Sequence, residues 1–476
     1  MAKEQQFVKN IANIEEDFPQ WYTDVVIKTE LVDYGPVKGT MVIRPYGYAI
    51  WENIQKELNR RFSELGVQNA YFPMLIPESY LMREAEHVEG FAPEVALVTH
   101  AGGEKLAENL VVRPTSETII CEMFSKWMQS YRDLPIKINQ WANVMRWEKT
   151  TRPFLRTSEF LWQEGHTAYA TEEEAREDAQ KMLKCYSDFA HEFLAIPVFT
   201  GVKTEKEKFA GAVETYGMEA MMLDGKSLQA GTTHYLGNNF AKAFNMKFLD
   251  KNNALQYAFS TSWGVSTRLI GAIVMAHGDQ RGLSLPPKVA PIQVVVIPVA
   301  QFKEGVLEKA NEITDKLAKM GIRVKLDARD ASPGWKFNEW EMKGCPLRLE
   351  IGPRDIQENK CVLSTRYNCE KFTLSLDELD TIPALLETIQ QNMLEKSRKM
   401  RDSKVVEASS LDEIFEGVEN KNFVKAHWCG CRECEDAIKN RAAATSRVIV
   451  EDAKEGTVCA VCGKKAEKVV LFARAY

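Results

Sequence analysis

"RWEKTTRPFLRTSEFLWQEGH", residues 146–166, gathers three arginines, three glutamates and four large aromatic rings. Read as a strand, "VMRWE" sets Arg146 and Glu148 on one face, because side chains alternate across an extended chain. Read the same way, "EFLWQEGH" sets Phe160, Trp162, Glu164 and His166 on one face. Between the two runs a loop, residues 149–158, carrying Arg152 and Arg156. An antiparallel hairpin of this kind offers guanidinium groups for phosphates, a flat ring to stack a base, a carboxylate to accept from an exocyclic amine, and further carboxylates deeper in. A charged surface hairpin with cross-strand ion pairs accounts for the signs of the charges but not for the rings. Arg-x-Glu alone is unspecific, whereas Arg146-x-Glu148 followed by Arg156-x-x-x-Phe160-x-x-x-Glu164 is far more restrictive.

Around this hairpin, the chain up to about Pro287 mixes amphipathic helices with strands in no regular alternation, which predicts an antiparallel α+β domain rather than a doubly wound one. Ile50, Ile54, Leu58, Phe62 and Leu65 step along one helical face, Gly66 is placed to end that helix, and "AYFPMLIP" with Pro73 reads as an edge strand. Thr171 and Glu174 form a capping-box pattern opening a long helix to about Leu194, with Ala175, Met182, Leu183, Tyr186 and Phe193 near one face. The prolines of "LSLPPKVAPIQVVVIPV" mark a linker, after which strand, helix and strand follow as a βαβ unit. The basic run at 396–404, which reads as a solvated helix end, leads into a cysteine-bearing third piece. The expected divisions are 1–287, 288–400 and 401–476.

At 476 residues the chain is too long for one compact core, and its 45% hydrophobic and 27% charged fractions are those of a soluble globular protein. No apolar run approaches a membrane span, and "MAKEQQFVKN" lacks the apolar core of a secretory signal, so the expected compartment is the cytoplasm. A net charge of -6 excludes a chain that is basic overall while leaving room for a local basic surface. Of ten cysteines, Cys429, Cys431, Cys434, Cys459 and Cys462 crowd the last fifty residues, which points to a metal and not to disulfides. Four such thiolates at tetrahedral geometry bind zinc in a closed, structural manner.

The hairpin spacing resembles motif 2 of the class II aminoacyl-tRNA synthetases. "GVQNAYFPML" resembles motif 1, with Pro73 as its proline, and "SWGVSTRLIGAIVMAHGDQRGLSLPP" resembles motif 3, with Gly264 leading to Arg268. Within the class, "RPTSE" at 113–117, "FLWQEGHTA", "AGTTHYLG" and "HGDQRGLSLPP" are similar to the prolyl-tRNA synthetases of the archaeal/eukaryotic-like type. The resemblance covers almost the whole chain. It implies a class II antiparallel-sheet catalytic domain, an α/β anticodon-binding domain and a small zinc-binding-like domain, working as a homodimer joined through motif 1. The implied substrates are L-proline, ATP with Mg²⁺, and tRNA(Pro), with no membrane partner.

Residue roles follow from the resemblance. Arg146 and Arg268 are the catalytic arginines. Arg146 meets the α-phosphate and the amino-acid carboxylate, Glu148 the adenine amine, Phe160 the adenine face, and Arg156 with Arg268 the outer phosphates, while Gln229 and Thr232 complete the ATP site. Thr115 and Glu117 receive the proline ammonium. Trp162, Glu164, His166, His234, Ser262 and Gly264, with Phe91 and Glu94 from a covering loop, wall the ring. Thr232 and His234 share a strand face, so both can point inward. Lys336, Glu339, Arg348, Glu350 and Arg354 are the candidates for anticodon base edges. The family's Cys-x4-Cys and Cys-x2-Cys pattern is matched by Cys429, Cys434, Cys459 and Cys462; Cys431 departs from it and can replace Cys429. The terminal Tyr476 is expected to turn its carboxylate toward the active site, and the span from His166 to Gly264 leaves no room for a large hydrolytic editing insertion.

Plainer readings exist for several of these residues. Thr115 can be a helix cap before "ETIICEMFSKW", and His166 and His234 can be satisfied core histidines, since in-line attack by a carboxylate needs no general base. They are therefore substrate-lining rather than catalytic. An arginine opening an otherwise apolar helix, as Arg268 does, calls for a fixed anion. A synthetase for threonine would need pocket metal ligands that are not found, and a silent tRNA-binding paralogue would have lost one of Arg146, Arg156 and Arg268.

Overall fold

The computed structural model describes residues 11–87 and 94–476; Phe91 lies outside them. Helix α1 (Pro45–Glu64) buries Ile50, Ile54, Leu58 and Phe62, the apolar stripe expected from their spacing. Gly66 follows at φ 77°, the left-handed conformation that lets a chain leave a helix. The edge strand after it is short, β1 (Gln68–Asn69), and Pro73 falls beyond its end. Then come α2 (Glu117–Trp127), β2 (Ile136–Met145) and β3 (Glu159–Tyr169). Helix α3 (Glu172–Glu192) opens with the expected reciprocal cap between Thr171 and Glu174. Strands β4 (Val198–Val202), β5 (Glu214–Met221), β6 (Ser227–Gly237) and β7 (Phe259–Ser266) lead to helix α4 (Arg268–His277).

The second unit is the expected βαβ with additions. Strand β8 (Val294–Pro298) pairs in parallel with β9 (Val324–Leu326) and β10 (Leu347–Ile351) around α5 (Val306–Lys319), and α6 (Pro333–Met342) precedes β10. Strands β11 (Lys360–Thr365) and β12 (Lys371–Ser375) complete the sheet antiparallel. Helix α7 (Ile382–Ser403) takes in most of the basic run as its exposed end. The last unit comprises β13 (Val405–Ala408), β14 (Phe423–Trp428), α8 (Arg432–Ala442), β15 (Thr445–Asp452) and β16 (Lys468–Ala473).

This last unit is not a separate bead. Among the described residues one sheet of eleven strands runs in the order β13-β14-β16-β15-β4-β5-β6-β7-β3-β2-β1, antiparallel except for the outermost pair at each edge. The join is β15 against β4, with Ile449 opposite Val202. Gly201 makes the approach possible, because a Cβ there would stand 2.2 Å from the Ile449 carbonyl oxygen. Among the described residues no helix is long and apolar enough to cross a membrane.

Helices α1, α3 and α4 cover one face of the central part of the sheet and share a core with Trp263 and Val265 of β7. Trp263 packs against Phe62 and Tyr186, with ring centroids 5.1 and 6.3 Å away. Opposite it on β3 stands Gly165, where a Cβ would meet the Trp263 ring at 2.1 Å. The opposite face of these strands is thereby left to other uses. The substitution Gly165→Ala must displace Trp263 and is expected to cost about 1–3 kcal/mol, as overpacking of a filled core does; denaturant unfolding checks this, and an unchanged midpoint would contradict it.

Candidate active site

A cavity of about 300 Å³ lies over the uncovered face, and strand register decides what enters it. Glu164 on β3 stands opposite Gly264 on β7, Gly264 opposite Thr232 on β6, and Thr232 opposite Gly217 on β5. Two residues along, His166, Ser262, His234 and Thr215 form a second row. Directly opposed residues share a face, so positions from four strands converge. All but Gly217 line the cavity, and the missing side chain of Gly217 leaves room for Lys203.

One end of the cavity is acidic. Thr115 donates its hydroxyl to the Glu117 carboxylate. Glu164 accepts from Ser116 Oγ at 2.5 Å and from Gln140 Nε2 at 2.6 Å on one oxygen, and its other oxygen lies 2.9 Å from His166 Nε2. Burial works against charge on Glu164, yet the hydrogen bond and charge of His166, with Ser116 and Gln140, hold its pKa below the ordinary carboxylate value. Burial also opposes a charged His166, but Glu164, helped by Glu117, raises its pKa above the usual imidazole value. His234 behaves oppositely: burial and the neighbouring charge of His166 push it down to about 3, so its ring is neutral. That ring lies between the hydroxyls of Thr215, 2.9 Å from Nδ1, and Thr232, 3.2 Å from Nε2, with the Phe209 ring 4.7 Å away.

Two arginines complete the charged lining, and the charges of Glu117 and Glu164 favour the charged form of Arg146. Arg146 donates from Nε to the Pro114 carbonyl at 2.9 Å, and its guanidinium lies over the rings of Phe160 and Trp162, 5.5 Å from each. Arg268 donates from Nε to the Leu155 carbonyl at 3.2 Å and from Nη1 to the Gln229 carbonyl at 3.5 Å. Burial lowers the pKa of both, and the charges of Arg146 and Arg156 lower Arg268 further. Among the described residues no carboxylate forms an ion pair with either arginine. Guanidinium groups remain protonated in such surroundings, so the cavity holds two cations whose hydrogen bonds end on backbone carbonyls.

Of the residues singled out in the sequence, Thr115, Glu117, Arg146, Phe160, Trp162, Glu164, His166, Gln229, Thr232, His234, Ser262, Gly264 and Arg268 all line this one cavity. Three others do not. Strand β2 ends at Met145, so the shared strand face proposed for Arg146 and Glu148 does not exist; the Arg146 amide still donates to the Ser158 carbonyl, and Glu148 lies 3.5 Å from exposed Arg156. Glu94 points its exposed carboxylate to Lys149, 3.5 Å away. Reading the sequence missed Gln140, Thr215 and Phe209. Gln140 belongs to no motif, although its place opposite Glu164 in the β2–β3 pair puts it on the cavity face.

Away from the cavity, Lys336, Glu339, Arg348 and Glu350 are buried and already partnered. Lys336 donates to the Asp327 carbonyl at 3.1 Å, Glu339 meets Arg329 at 2.5 Å, and Arg348 pairs with Glu350 at 2.9 Å. Arg354 is exposed on a short helical turn. In the last unit, Cys429, Cys434, Cys459 and Cys462 bring their sulfurs within 4.8 Å of one another. Separations of 3.7, 3.6 and 3.9 Å fit the edge of about 3.8 Å that four metal–sulfur bonds of about 2.3 Å give at tetrahedral geometry. Cys431 lies closer, 3.2 Å from Cys429 and 3.1 Å from Cys434, and stands outside that set of four. The chain end folds back onto the central sheet: the Tyr476 amide donates to the Ser227 carbonyl at 3.1 Å and its phenol to Asp224 at 2.7 Å.

With this geometry in view, the chain matches three described families: tRNA synthetase class II core domain (G, H, P, S and T) over residues 99–277, anticodon binding domain over 293–382, and prolyl-tRNA synthetase, C-terminal, over 411–476. It is 60% identical to a proline–tRNA ligase of Alkaliphilus oremlandii over 100% of this chain and 99% of that one. It is 58% identical to a proline–tRNA ligase of Ruminiclostridium cellulolyticum over the full length of both. Among solved structures it is similar to prolyl-tRNA synthetase from Cryptosporidium parvum complexed with halofuginone and AMPPNP, with a TM-score of 0.94 and 42% identity over 98% of this chain and 99% of that one.

The Glu164–His166 pair has a pH signature. Because the folded pKa of His166 lies above its ordinary 6.5, its contribution to stability is complete below that pH and is lost as pH rises through the raised value. The stability difference between the unaltered chain and His166→Gln, measured by denaturant unfolding, is therefore expected to shrink as pH rises above about 6.5; a difference that stays level or grows would contradict the pairing.

Proposed function

The chain belongs to the prolyl-tRNA synthetase family, whose reaction is the ATP-dependent attachment of proline to tRNA, and from that premise we propose how this cavity performs it. The observation that carries the proposal is that one cavity is lined both by carboxylates, Glu117 and Glu164, and by guanidinium groups without a carboxylate ion-pair partner among the described residues, Arg146 and Arg268. A zwitterionic amino acid fits it in one direction only. The secondary ammonium of L-proline goes to Thr115, Glu117 and the Glu164–His166 pair. Its ring lies against Trp162, His234, Ser262 and Gly264. The carboxylate then points to Arg146, whose guanidinium also receives the α-phosphate.

ATP goes to the arginines. Its adenine stacks on Phe160 with Glu148 accepting from the amine, Gln229 and Thr232 hold the ribose side, and Arg156 with Arg268 receive the outer phosphates. Mg²⁺, when bound, neutralises part of the phosphate charge. The proline carboxylate attacks the α-phosphorus in line, pyrophosphate leaves, and the acyl group of the resulting prolyl-adenylate passes to the terminal ribose of tRNA(Pro). Positioning and fixed positive charge supply the catalysis, so no protein nucleophile is required. A neutral His234, already engaged by two hydroxyls, fits a lining role.

The remaining assignments belong to the same reading. The chain divides at 1–287, 288–400 and 401–476, with Lys336, Glu339, Arg348, Glu350 and Arg354 at the anticodon, and it works in the cytoplasm. A homodimer through the motif 1 stretch is supported by Tyr71, 72% exposed there beside exposed Met74 and Leu75. Structural Zn²⁺ is held by Cys429, Cys434, Cys459 and Cys462, whose soft thiolates and tetrahedral spacing suit it.

Proline-dependent ATP/pyrophosphate exchange, run against all twenty amino acids, is expected to respond to proline foremost. Strong exchange with another amino acid alone would overturn the specificity. Arg268→Ala is expected to lower the exchange rate about 10²–10³-fold, the loss seen when a preorganised charge donor is removed; a loss below tenfold would remove Arg268 from the site. Metal analysis of the purified chain is expected to give one zinc, lost in Cys459→Ser with a fall in the unfolding temperature and retained in Cys431→Ser. Zinc loss in Cys431→Ser would instead make that residue a ligand.

A further inference from the structure

Beside the cavity lies a group of charges that the reaction as described leaves unused. Lys203 follows β4, Glu219 lies on β5 and Arg447 on β15, and all three are buried. Lys203 donates from Nζ to Glu219, Arg447 Nε lies 3.3 Å from Glu219 Oε2, and Ser227 Oγ donates to that same oxygen at 2.6 Å. Two cations buried around one carboxylate contribute little net stability, because the cost of removing them from water consumes most of their attraction. Their position is more informative than their energy. Glu219 stands opposite Gln229 at the one slip in the β5–β6 pairing: Met218 faces Gly231 and Glu219 faces Gln229, leaving Ala230 as an extra residue.

Bulges re-aim the chain beside active sites. Residues 229–231 all line the cavity, and the Gln229 carbonyl is one of the two acceptors that hold Arg268. Ser227, two residues ahead of Gln229, is gripped from both sides, by Glu219 through its hydroxyl and by the chain end through its backbone, with its amide 2.7 Å from the Arg474 carbonyl. Arg447 comes from the cysteine-bearing unit, and so do Arg474 and Tyr476. The negative charge of Glu219 also favours the charged form of Arg268.

We propose that Arg447 is a positioning residue for amino-acid activation: through Glu219 and Ser227 it sets the bulged segment 229–231 and, by way of the Gln229 carbonyl, the guanidinium of Arg268. The cysteine-bearing unit thus controls ATP binding from the far side of β5. This inference rests on the reading of Arg268 as a ligand of the outer phosphates.

The test uses the full-length chain in proline-dependent ATP/pyrophosphate exchange, with separate KM values for ATP and proline. Arg447→Met, which keeps the length of the stem and removes the charge, is expected to raise KM for ATP about tenfold or more, as a small misplacement of a binding group does. KM for proline should move by less than about twofold, because Glu117 and Glu164 are untouched. Arg447→Lys is expected to restore most of the ATP affinity. An unchanged KM for ATP, or both KM values rising together, would overturn the proposal. Should Arg447→Met fail to fold, Ser227→Ala cuts the same link and carries the same expectation and the same counter-result. Arg268→Ala, measured alongside, separates the two claims: if it leaves ATP kinetics intact, the reading of Arg268 fails, and with it the proposal.

Discussion

Arg146 and Arg268 face one cavity closely enough that the charge of the first disfavours the charge of the second. No carboxylate of the described residues forms an ion pair with either. Both are ringed by protein, and both hydrogen-bond backbone carbonyls that orient them without neutralising them. A free chain would relax such a pair by moving one arginine into water. Here the frame forbids it, because Arg146 sits at the end of β2 over two aromatic rings and Arg268 opens α4 against the core. A polyanion entering between them meets donors that are already fixed and need no ordering on its arrival. The helices behind the sheet, with Trp263 wedged against Gly165, hold that frame in place.

The acidic end follows the opposite logic. Glu164 is surrounded by donors from Ser116, Gln140 and His166, so its charge is stabilised before any ligand arrives. A ligand ammonium therefore meets a carboxylate that need not reorganise. Between the two ends the β3, β7, β6 and β5 rows act as a ruler, since residues two apart on neighbouring strands are set by the sheet and not by flexible loops. The groups that depend on loops, Glu148 and Arg156, are the ones found at the rim.

Much of this was legible in the sequence because alternation along a strand is a local property. Phe160, Trp162, Glu164 and His166 needed only the period of two, as did Thr232 and His234, and the cap of α3 needed only Thr171 and Glu174. The tetrahedral set of four cysteines was separable from Cys431 only through the resemblance, and the sulfur spacing gives a physical ground for it. What could not be read depends on contacts between distant segments. Gln140 acquires its place from its partner strand, Gly201 from the approach of Ile449, and Glu219 from a bulge one strand away. The strand face expected for Arg146 and Glu148 is absent for a local reason: the strand stops at Met145, three residues before Glu148, and nothing in "VMRWE" marks the end. The burial of Lys336 and Arg348 could not be read either, because a satisfied buried charge leaves no trace in composition.

A crystal structure of the chain with a non-hydrolysable ATP analogue bears most directly on the central claim. The phosphates are expected between Arg146 and Arg268, within hydrogen-bonding distance of both guanidinium groups, with the base against Phe160. A triphosphate bound elsewhere, or Arg146 and Arg268 turned apart with neither touching a phosphate, would contradict the account.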